Sequence, residues 1–251
     1  MKKFALFLTV WAAAVGCMPN VQVVTLRGSN VSPSQEGLAM DNDTLTLRYN
    51  FASERGLMQL SIVNKLNKPL YIDWKRSSFI IGQDKVDYWS DVSDVNLTGT
   101  SSRYSRYASP ISLGGTITKQ EPIAFIPPQT KLEKKQFIVV PQGSVRLTGP
   151  STTEQEKAKW TDRKKPVDIV NYAYSADQSP LTFRNYLTLS TDKDFKTEFI
   201  IDTKFWASDV KVLPRDQILS QKSTSSYDGR NYYVPESFKQ PDAFYVQLPT
   251  Q

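Results

Sequence analysis

The chain has 251 residues, of which 39% are strongly apolar, and a formal net charge of +6. It contains no histidine and one cysteine, which excludes Ser-His-Asp and Cys-His triads, His-ligated metal sites, Cys-rich zinc sites and intrachain disulfides. A domain of this size can remove about 70–75% of its unfolded surface from water, so a sizeable hydrophobic core is possible.

The first sixteen residues have the layout of an export signal. Lys2 and Lys3 form a basic start, the apolar run Phe4 to Val15 follows, and the small residue Gly16 ends the segment. The apolar run has about 12 residues, whereas a membrane-spanning helix needs about 20. Residues 1–16 are therefore predicted to be a signal peptide and not a durable membrane anchor.

The lone cysteine follows this signal directly, and Ala14-Val15-Gly16-Cys17 resembles the lipobox of bacterial lipoproteins. Alanine stands at position 14, where leucine is commonest in that family. The resemblance implies that signal peptidase II cuts before Cys17 and that fatty acids such as palmitate are attached there. Because cleavage would remove Lys2 and Lys3, the formal charge of the mature chain would fall to +4.

Residues 17–40 are predicted to be the lipidated cysteine and a tether. No acidic run follows the cysteine. By analogy with lipoprotein sorting signals, this favours the periplasmic face of an outer membrane over surface display. The predicted location is thus the bacterial cell envelope.

Residues 41–215 have the alternating pattern of half-buried β-strands. Predicted strands in the first half are 43–51, 57–63, 70–74, 78–81, 86–89, 122–126 and 136–140, and in the second half 181–189, 195–201 and 205–213. The turn cluster at 64–69 separates two of them. Residues 153–160 hold the one predicted helix, with acidic residues early and lysines late, as the helix dipole prefers.

Two segments lack this pattern. Residues 90–118 contain 11 Ser or Thr and 3 Gly among 29 positions, which predicts a long, loosely specified insert. Residues 216–251 are rich in Ser, Tyr, Pro and Gln and are predicted to be a partly irregular extension.

Eight to ten strands with hardly any helix predict an all-β fold, namely an antiparallel immunoglobulin-like β-sandwich with at most one short helix. The Cys…Trp…Cys signature of antibody domains cannot exist in a chain with one cysteine.

Residues 62–74, 125–130 and 181–186 carry a second resemblance. The first reads Ile-Val-Asn-Lys-Leu-Asn-Lys-Pro-Leu-Tyr-Ile-Asp-Trp, the second Phe-Ile-Pro-Pro-Gln-Thr and the third Leu-Thr-Phe-Arg-Asn-Tyr. These segments are similar to uncharacterised envelope lipoproteins of Bacteroidota, in which such a strand pair and an Ile-Pro-Pro turn frame a low-complexity insert. The resemblance covers about residues 43–212 and implies a sandwich, but no activity.

An aromatic cluster provides the candidate ligand site, because exposed rings can stack on sugar faces. The residues considered are Trp74, Trp89, Tyr104 and Tyr107, with Asp73 and Asp87 as hydrogen-bonding partners. The alternative is that both tryptophans fill the core between the sheets. Paired carboxylates also serve glycoside hydrolysis, but an aspartate at the end of a strand is more commonly structural, and no catalytic residue is predicted.

Two basic clusters remain, and neither accompanies a recognisable nucleic-acid-binding module. They comprise Lys131, Lys134 and Lys135, and Lys157, Lys159, Arg163, Lys164 and Lys165. They predict solvated faces or, alternatively, attraction to anionic lipid or lipopolysaccharide. Residues 192–198 begin like a calcium loop but lack the required glycine, so neither a metal nor another cofactor is predicted.

Together these patterns predict a membrane-anchored cell-envelope lipoprotein with a binding or scaffolding β-sandwich and no enzymatic activity. The alternative is a carbohydrate-binding or carbohydrate-processing component of a glycan-uptake system. The predicted partners are the membrane, through the lipid anchor, and other envelope proteins or glycans, with no nucleic acid.

Overall fold

The structure is a computed structural model that describes residues 19–90, 93–101, 111–119, 121–161 and 165–249. Its strands form two larger antiparallel sheets and two separate hairpins. The predicted all-β antiparallel sandwich is confirmed. The immunoglobulin-like subtype stays a prediction.

The main sheet has nine strands, and its longest, β15, spans Glu198–Pro214. The order along the sheet is β10-β6-β14-β15-β1-β18, with β7 on β6, β13 on β15 and β12 on β13. The other strands are β1 (Asn20–Gly28), β6 (Leu70–Ile81), β7 (Asp84–Asp87), β10 (Ile123–Ile126), β12 (Thr152–Lys157), β13 (Pro166–Ala173), β14 (Thr182–Ser190) and β18 (Ala243–Gln247). Both β6 and β15 join two predicted strands into one.

The second sheet has five strands in the order β11-β5-β4-β3-β2. They are β2 (Ser32–Ser34), β3 (Gly37–Asp41), β4 (Leu45–Asn50), β5 (Leu57–Asn64) and β11 (Lys131–Ile138). Alternate residues of β4 and β5 are buried, as their sequence pattern predicts, so this sheet has one face on the core and one toward solvent.

Aromatic rings from both sheets meet in the core. The Tyr49 ring of the second sheet lies 4.9 Å from the Phe205 ring of the main sheet, edge to face. Phe51 and Phe183 meet in the same way, with centroids 5.8 Å apart. Such pairs stabilise a core beyond their buried area, and they join the two layers.

The prediction of a tether over residues 17–40 is wrong from residue 20 onward. Strand β1 lies between β15 and β18 in the main sheet, and four of its apolar side chains are buried: Val21, Val23, Val24 and Leu26. Strands β2 and β3 follow in the second sheet. The physical reason is that Val-Gln-Val-Val-Thr-Leu is a β-branched, apolar segment that gains more from burial than from extension in solvent.

The predicted helix at 153–160 is also wrong. Residues 152–157 form β12, an edge strand that pairs with β13 alone and is exposed throughout. An edge strand with no buried face shows no apolar alternation. The sequence pattern of its charged residues therefore resembles that of a solvent-facing helix. The one described helix is the single turn α1 (Asp216–Leu219).

The C-terminal segment 216–251 is more ordered than predicted. After α1 it forms a hairpin of β16 (Ser220–Thr224) and β17 (Asn231–Pro235), and then β18 in the main sheet, with Phe244 and Val246 buried. The sandwich therefore draws on residues 20–247 and not only on 41–215.

The Ser/Thr-rich insert predicted at 90–118 contains a second hairpin. Its strands are β8 (Ser93–Ser101) and β9 (Ile111–Lys119), which pair with each other antiparallel in register from Ser93 opposite Lys119. The described residues of this segment thus form two paired strands, where a loosely specified insert is predicted.

Candidate functional site

Trp74 is a core residue. It lies on β6, and only 6% of its surface is exposed. Its ring centroid is 4.9 Å from that of Tyr88, and the Lys134 ammonium nitrogen lies 4.9 Å from the ring. Burial lowers the pKa of this lysine, whose ammonium group lies over the indole ring. Trp74 therefore presents no open ring face to a ligand. It fills the core between the sheets, which is the alternative given above.

Trp89 is half-buried and packs against the same core. The Lys75 ammonium nitrogen lies 5.5 Å from its ring centroid, within the range of a cation–π contact. A sugar stacking on this face would first have to displace the lysine.

The two candidate carboxylates each have a partner of their own. Asp87 lies opposite Ser78 at the β7 side of β6, and β6 bulges between Asp73 and Ser78, which lie opposite Thr188 and Tyr186 of β14. Asp87 pairs with Lys85 at 2.6 Å, and Asp73 accepts a 2.7 Å bond from Arg76 Nε. Each carboxylate is thus engaged by its own cation.

Arg76 links two parts of the main sheet. Besides Asp73 it contacts Glu198 at the start of β15, with Nη1 2.6 Å from Oε2. These two hydrogen bonds raise the pKa of the Arg76 guanidinium above its usual value. Glu198 was not among the predicted site residues, because it lies 122 residues away in the chain.

Cys17, Tyr104 and Tyr107 lie outside the described residues. The predicted lipid attachment and the two tyrosine contacts therefore stay predictions.

A buried polar network crosses the core behind Trp74. The Tyr88 hydroxyl donates to Asn185 Oδ1 at 2.6 Å, and Asn185 Nδ2 donates to the Tyr49 hydroxyl at 2.8 Å. Burial raises the pKa of Tyr49 to about 12 and that of Tyr88 well above its usual value. Both phenols therefore stay neutral at physiological pH, and the network connects the two sheets without offering a base.

The first basic cluster lies on β11 and belongs to the fold. Lys131 pairs with Glu133 at 2.8 Å, and the side chain of Lys134 covers Trp74 as described above. Lys135 is exposed. Only one of these three lysines thus presents its charge to solvent without a described partner.

A polar groove of about 550 Å³ runs over the outer face of the second sheet. Its charges are paired, Arg48 with Glu36 at 3.2 Å and Lys131 with Glu133. Phe238 and Lys239 from the C-terminal segment form one wall. A ligand here would meet amides, hydroxyls and ion pairs but little apolar surface.

A second groove, of about 420 Å³, exposes an indole ring that the sequence did not single out. Trp206 is half-buried on the outward face of β15, where its neighbours β1 and β14 present Arg27 and Thr182. Asp177 and Arg184 also line the groove. Trp206 stands between the inward-facing Phe205 and Ala207, so strand alternation could have assigned it to the outer face.

The second basic cluster lies at the end of the main sheet where β1 begins. Lys157, Lys159 and Lys165 flank the β12–β13 turn and are exposed. Arg163 and Lys164 of the predicted cluster lie outside the described residues. None of the three described lysines forms an ion pair with a described carboxylate.

Comparison with known protein families, curated proteins and solved structures finds no match. Within the described ranges, no group of three or more Asp, Glu, His or Cys side chains could hold a metal ion. No described helix combines the length and apolar character needed to cross a bilayer.

Proposed function

We propose that this protein is a lipid-anchored lipoprotein of the bacterial cell envelope, in which a β-sandwich is held at the membrane to bind or scaffold other components without catalysis. The observation that carries this proposal is the position of β1. A buried central strand begins at Asn20, three residues after Cys17. Cleavage before Cys17 would leave every described strand intact.

The anchor is physically sufficient. Each buried acyl methylene contributes about 0.8 kcal/mol, so two or three long chains hold a protein stably on a bilayer, whereas one short chain does not. The absence of an acidic run after Cys17 supports the periplasmic face of an outer membrane.

The non-catalytic part of the proposal is supported by how the carboxylates are used. Asp73, Asp87 and Glu198 all form ion pairs with nearby cations. The buried hydroxyls of Tyr49 and Tyr88 are neutral and are both hydrogen-bonded to Asn185. These groups stabilise the sandwich and are not arranged around an open cavity.

Metabolic labelling with an alkyne fatty acid tests the anchor. Wild type and a Met18→Ser control should both carry label and sediment with membranes, because the control leaves Cys17 in place. Cys17→Ser should carry none. Label that persists in Cys17→Ser, or an unlabelled wild type, would contradict the proposal.

The Trp206 groove supports a second candidate function, binding of a carbohydrate. A half-exposed indole beside a hydroxyl, a carboxylate and a guanidinium offers both stacking and hydrogen bonding to a sugar. A glycan array probed with detergent-solubilised full-length protein should give a signal that Trp206→Ala abolishes and the control Trp89→Ala retains. An array without signal, or signals equal in both variants, would contradict this function.

A further inference from the structure

The start of β1 is enclosed by one end of the main sheet, which we call the anchor end. It consists of residues 157–161, 165–166, 214–219 and 247–249. Arg215 N donates to Pro19 O and Leu248 N donates to Asn20 O, both at 2.9 Å. Three residues of chain span at most about 11 Å, so Cys17 can lie no farther than that from Asn20. A lipid on Cys17 would hold this end close to the bilayer.

The lysines of the β12–β13 turn project at the anchor end because of strand register. Val170 of β13 lies opposite Val212 of β15. Since the strands are antiparallel, the residues that precede Ile169 continue past the end of β15. Ile169 itself packs with Val21 and Leu213 in a small second core that fixes this arrangement.

Helix α1 holds the turn in place. The buried Gln217 accepts a hydrogen bond from Lys159 N at 3.1 Å and donates to Lys157 O at 3.0 Å. Gln217 also donates to Oε2 of Glu156 at 3.1 Å, so this carboxylate of β12 has a hydrogen-bond partner. These bonds fix the backbone at Lys157 and Lys159, while the ammonium groups of the two lysines remain in solvent.

The β16–β17 hairpin leaves from the same end. Glu236 N donates to Leu219 O at 2.7 Å at the base of the hairpin. The two strands pair only with each other, and none of their ten residues is buried. Tyr227, near the tip, is 99% exposed. Each strand is about 17 Å long, so the hairpin stands away from the body beside the predicted anchor.

We propose that the anchor end lies against an anionic lipid bilayer, with Lys157, Lys159 and Lys165 on the headgroups and Tyr227 at the interface. The inference rests on the proposed lipid anchor at Cys17 and adds an orientation to it. The charges complement an anionic surface, near which each lysine favours contact about fivefold. Tyrosine suits the interface because its ring is apolar and its hydroxyl remains hydrated.

Site-specific quenching tests this orientation on the acylated full-length protein. Cys17 is the only native cysteine and its thiol would be blocked by lipid, so a fluorophore can be placed on Lys159→Cys, Tyr227→Cys or the control Lys193→Cys. Lys193 is exposed in the β14–β15 turn, at the opposite end of a strand about 50 Å long. The protein is reconstituted in vesicles of phosphatidylcholine and phosphatidylglycerol that contain spin-labelled lipid.

Labels at positions 159 and 227 should be quenched strongly, and the label at 193 should not. Equal quenching at all three sites, or no quenching at either anchor-end site, would overturn the orientation. Mass spectrometry of the same sample separates the two proposals. An acylated protein without anchor-end quenching overturns only the orientation, whereas a protein without acyl chains overturns both.

A charge variant tests the electrostatic part with the reporter at Tyr227→Cys. Lys157→Gln with Lys159→Gln should lower the ratio of quenched to unquenched label, read from fluorescence lifetimes, about thirtyfold, since each lysine contributes about fivefold. The matched control, Lys193→Gln with Lys196→Gln, should leave the ratio unchanged. A ratio that both pairs change equally, or that neither changes, would overturn the assignment of these lysines to the headgroups.

Discussion

Replacement of Asn185 by leucine isolates the contribution of the buried polar network to stability. Asn185 is fully buried, accepts from the Tyr88 hydroxyl and donates to the Tyr49 hydroxyl. Leucine has a similar size and can make neither bond. The substitution therefore removes the acceptor of the Tyr88 hydroxyl and one of the two partners of the Tyr49 hydroxyl, and it changes the packing volume little.

The magnitude follows from what each hydroxyl loses. The Tyr88 hydroxyl loses its one described acceptor, and a buried donor left unsatisfied costs about 2 kcal/mol. The Tyr49 hydroxyl keeps Thr203 Oγ1 at 3.4 Å, so its loss costs about 1 kcal/mol. Asn185→Leu should then lower the free energy of unfolding by about 3 kcal/mol, a large share of the roughly 5–15 kcal/mol that a domain possesses.

Urea unfolding followed by tryptophan fluorescence measures this difference. The triple variant Asn185→Leu/Tyr49→Phe/Tyr88→Phe also removes both tyrosine hydroxyls. It should regain about 2 kcal/mol of the free energy of unfolding that Asn185→Leu loses, because exchanging all partners of a network for apolar groups is nearly neutral. Tyr186→Phe, on the half-buried face of the same strand, is the control and should stay within about 0.5 kcal/mol of wild type. If Asn185→Leu costs less than about 1 kcal/mol, or if the triple variant is less stable than the single one, the reasoning is refuted.

Three further predictions concern the same fold. The raised pKa of Tyr49, about 12, means that above pH 10 the unfolded state releases a proton that the folded state keeps. The contribution of Tyr49 to the free energy of unfolding should therefore be constant below about pH 10 and fall by up to about 1.4 kcal/mol per pH unit above it. A urea midpoint that stays flat from pH 9 to 11.5 would disprove this. Gly37→Ala should lower the free energy of unfolding by about 3 kcal/mol or more, because φ is +128° and the added Cβ would lie 2.0 Å from Tyr49 O. The control Gly82→Ala, with open space around it, should lower it by about 1 kcal/mol. Equal losses of the two variants in thermal unfolding would contradict this reasoning. Deletion from Ala243 onward removes β18 and should abolish protease resistance, whereas deletion of the last two residues should not; resistance in both truncations would show that β18 is dispensable.

The interior of the sandwich was predictable because apolar and polar residues alternate along the strands that flank its turns. Leu45–Phe51 alternates strictly and Leu57–Val63 has Met58, Leu60 and Ile62 on one face, and both segments form strands with one buried face. Strand β1 has an equally clear apolar segment, but it lies within residues 17–40, for which a tether is predicted. Local pattern was the better guide there.

The surface sites were less predictable, since they depend on which strands become neighbours. Arg76 joins Asp73 to Glu198 only because β6 and β15 both pair with β14, and nothing in a local window indicates that pairing. Trp206 was overlooked for a related reason. Its position on the outer face is visible from alternation, but the groove around it is made by residues of β6 and β14, by Ser29 just after β1 and by the loop at Asp177.

The two ends of the chain meet in the main sheet, where β1 pairs with residues 205–214 and 243–247. Contacts so distant in sequence make a fold slow to form, because the entropy of closing long loops is lost before the contacts can stabilise the structure. In a chain that emerges from its N-terminus, β1 has no partner strand until residues 205–214 are available, and its second partner comes only with residues 243–247, so the main sheet is completed in a late step. An acyl group joined to Cys17 would then enter the bilayer while the rest of the polypeptide is still unfolded, and the sandwich would assemble with its first strand already fixed at the membrane surface.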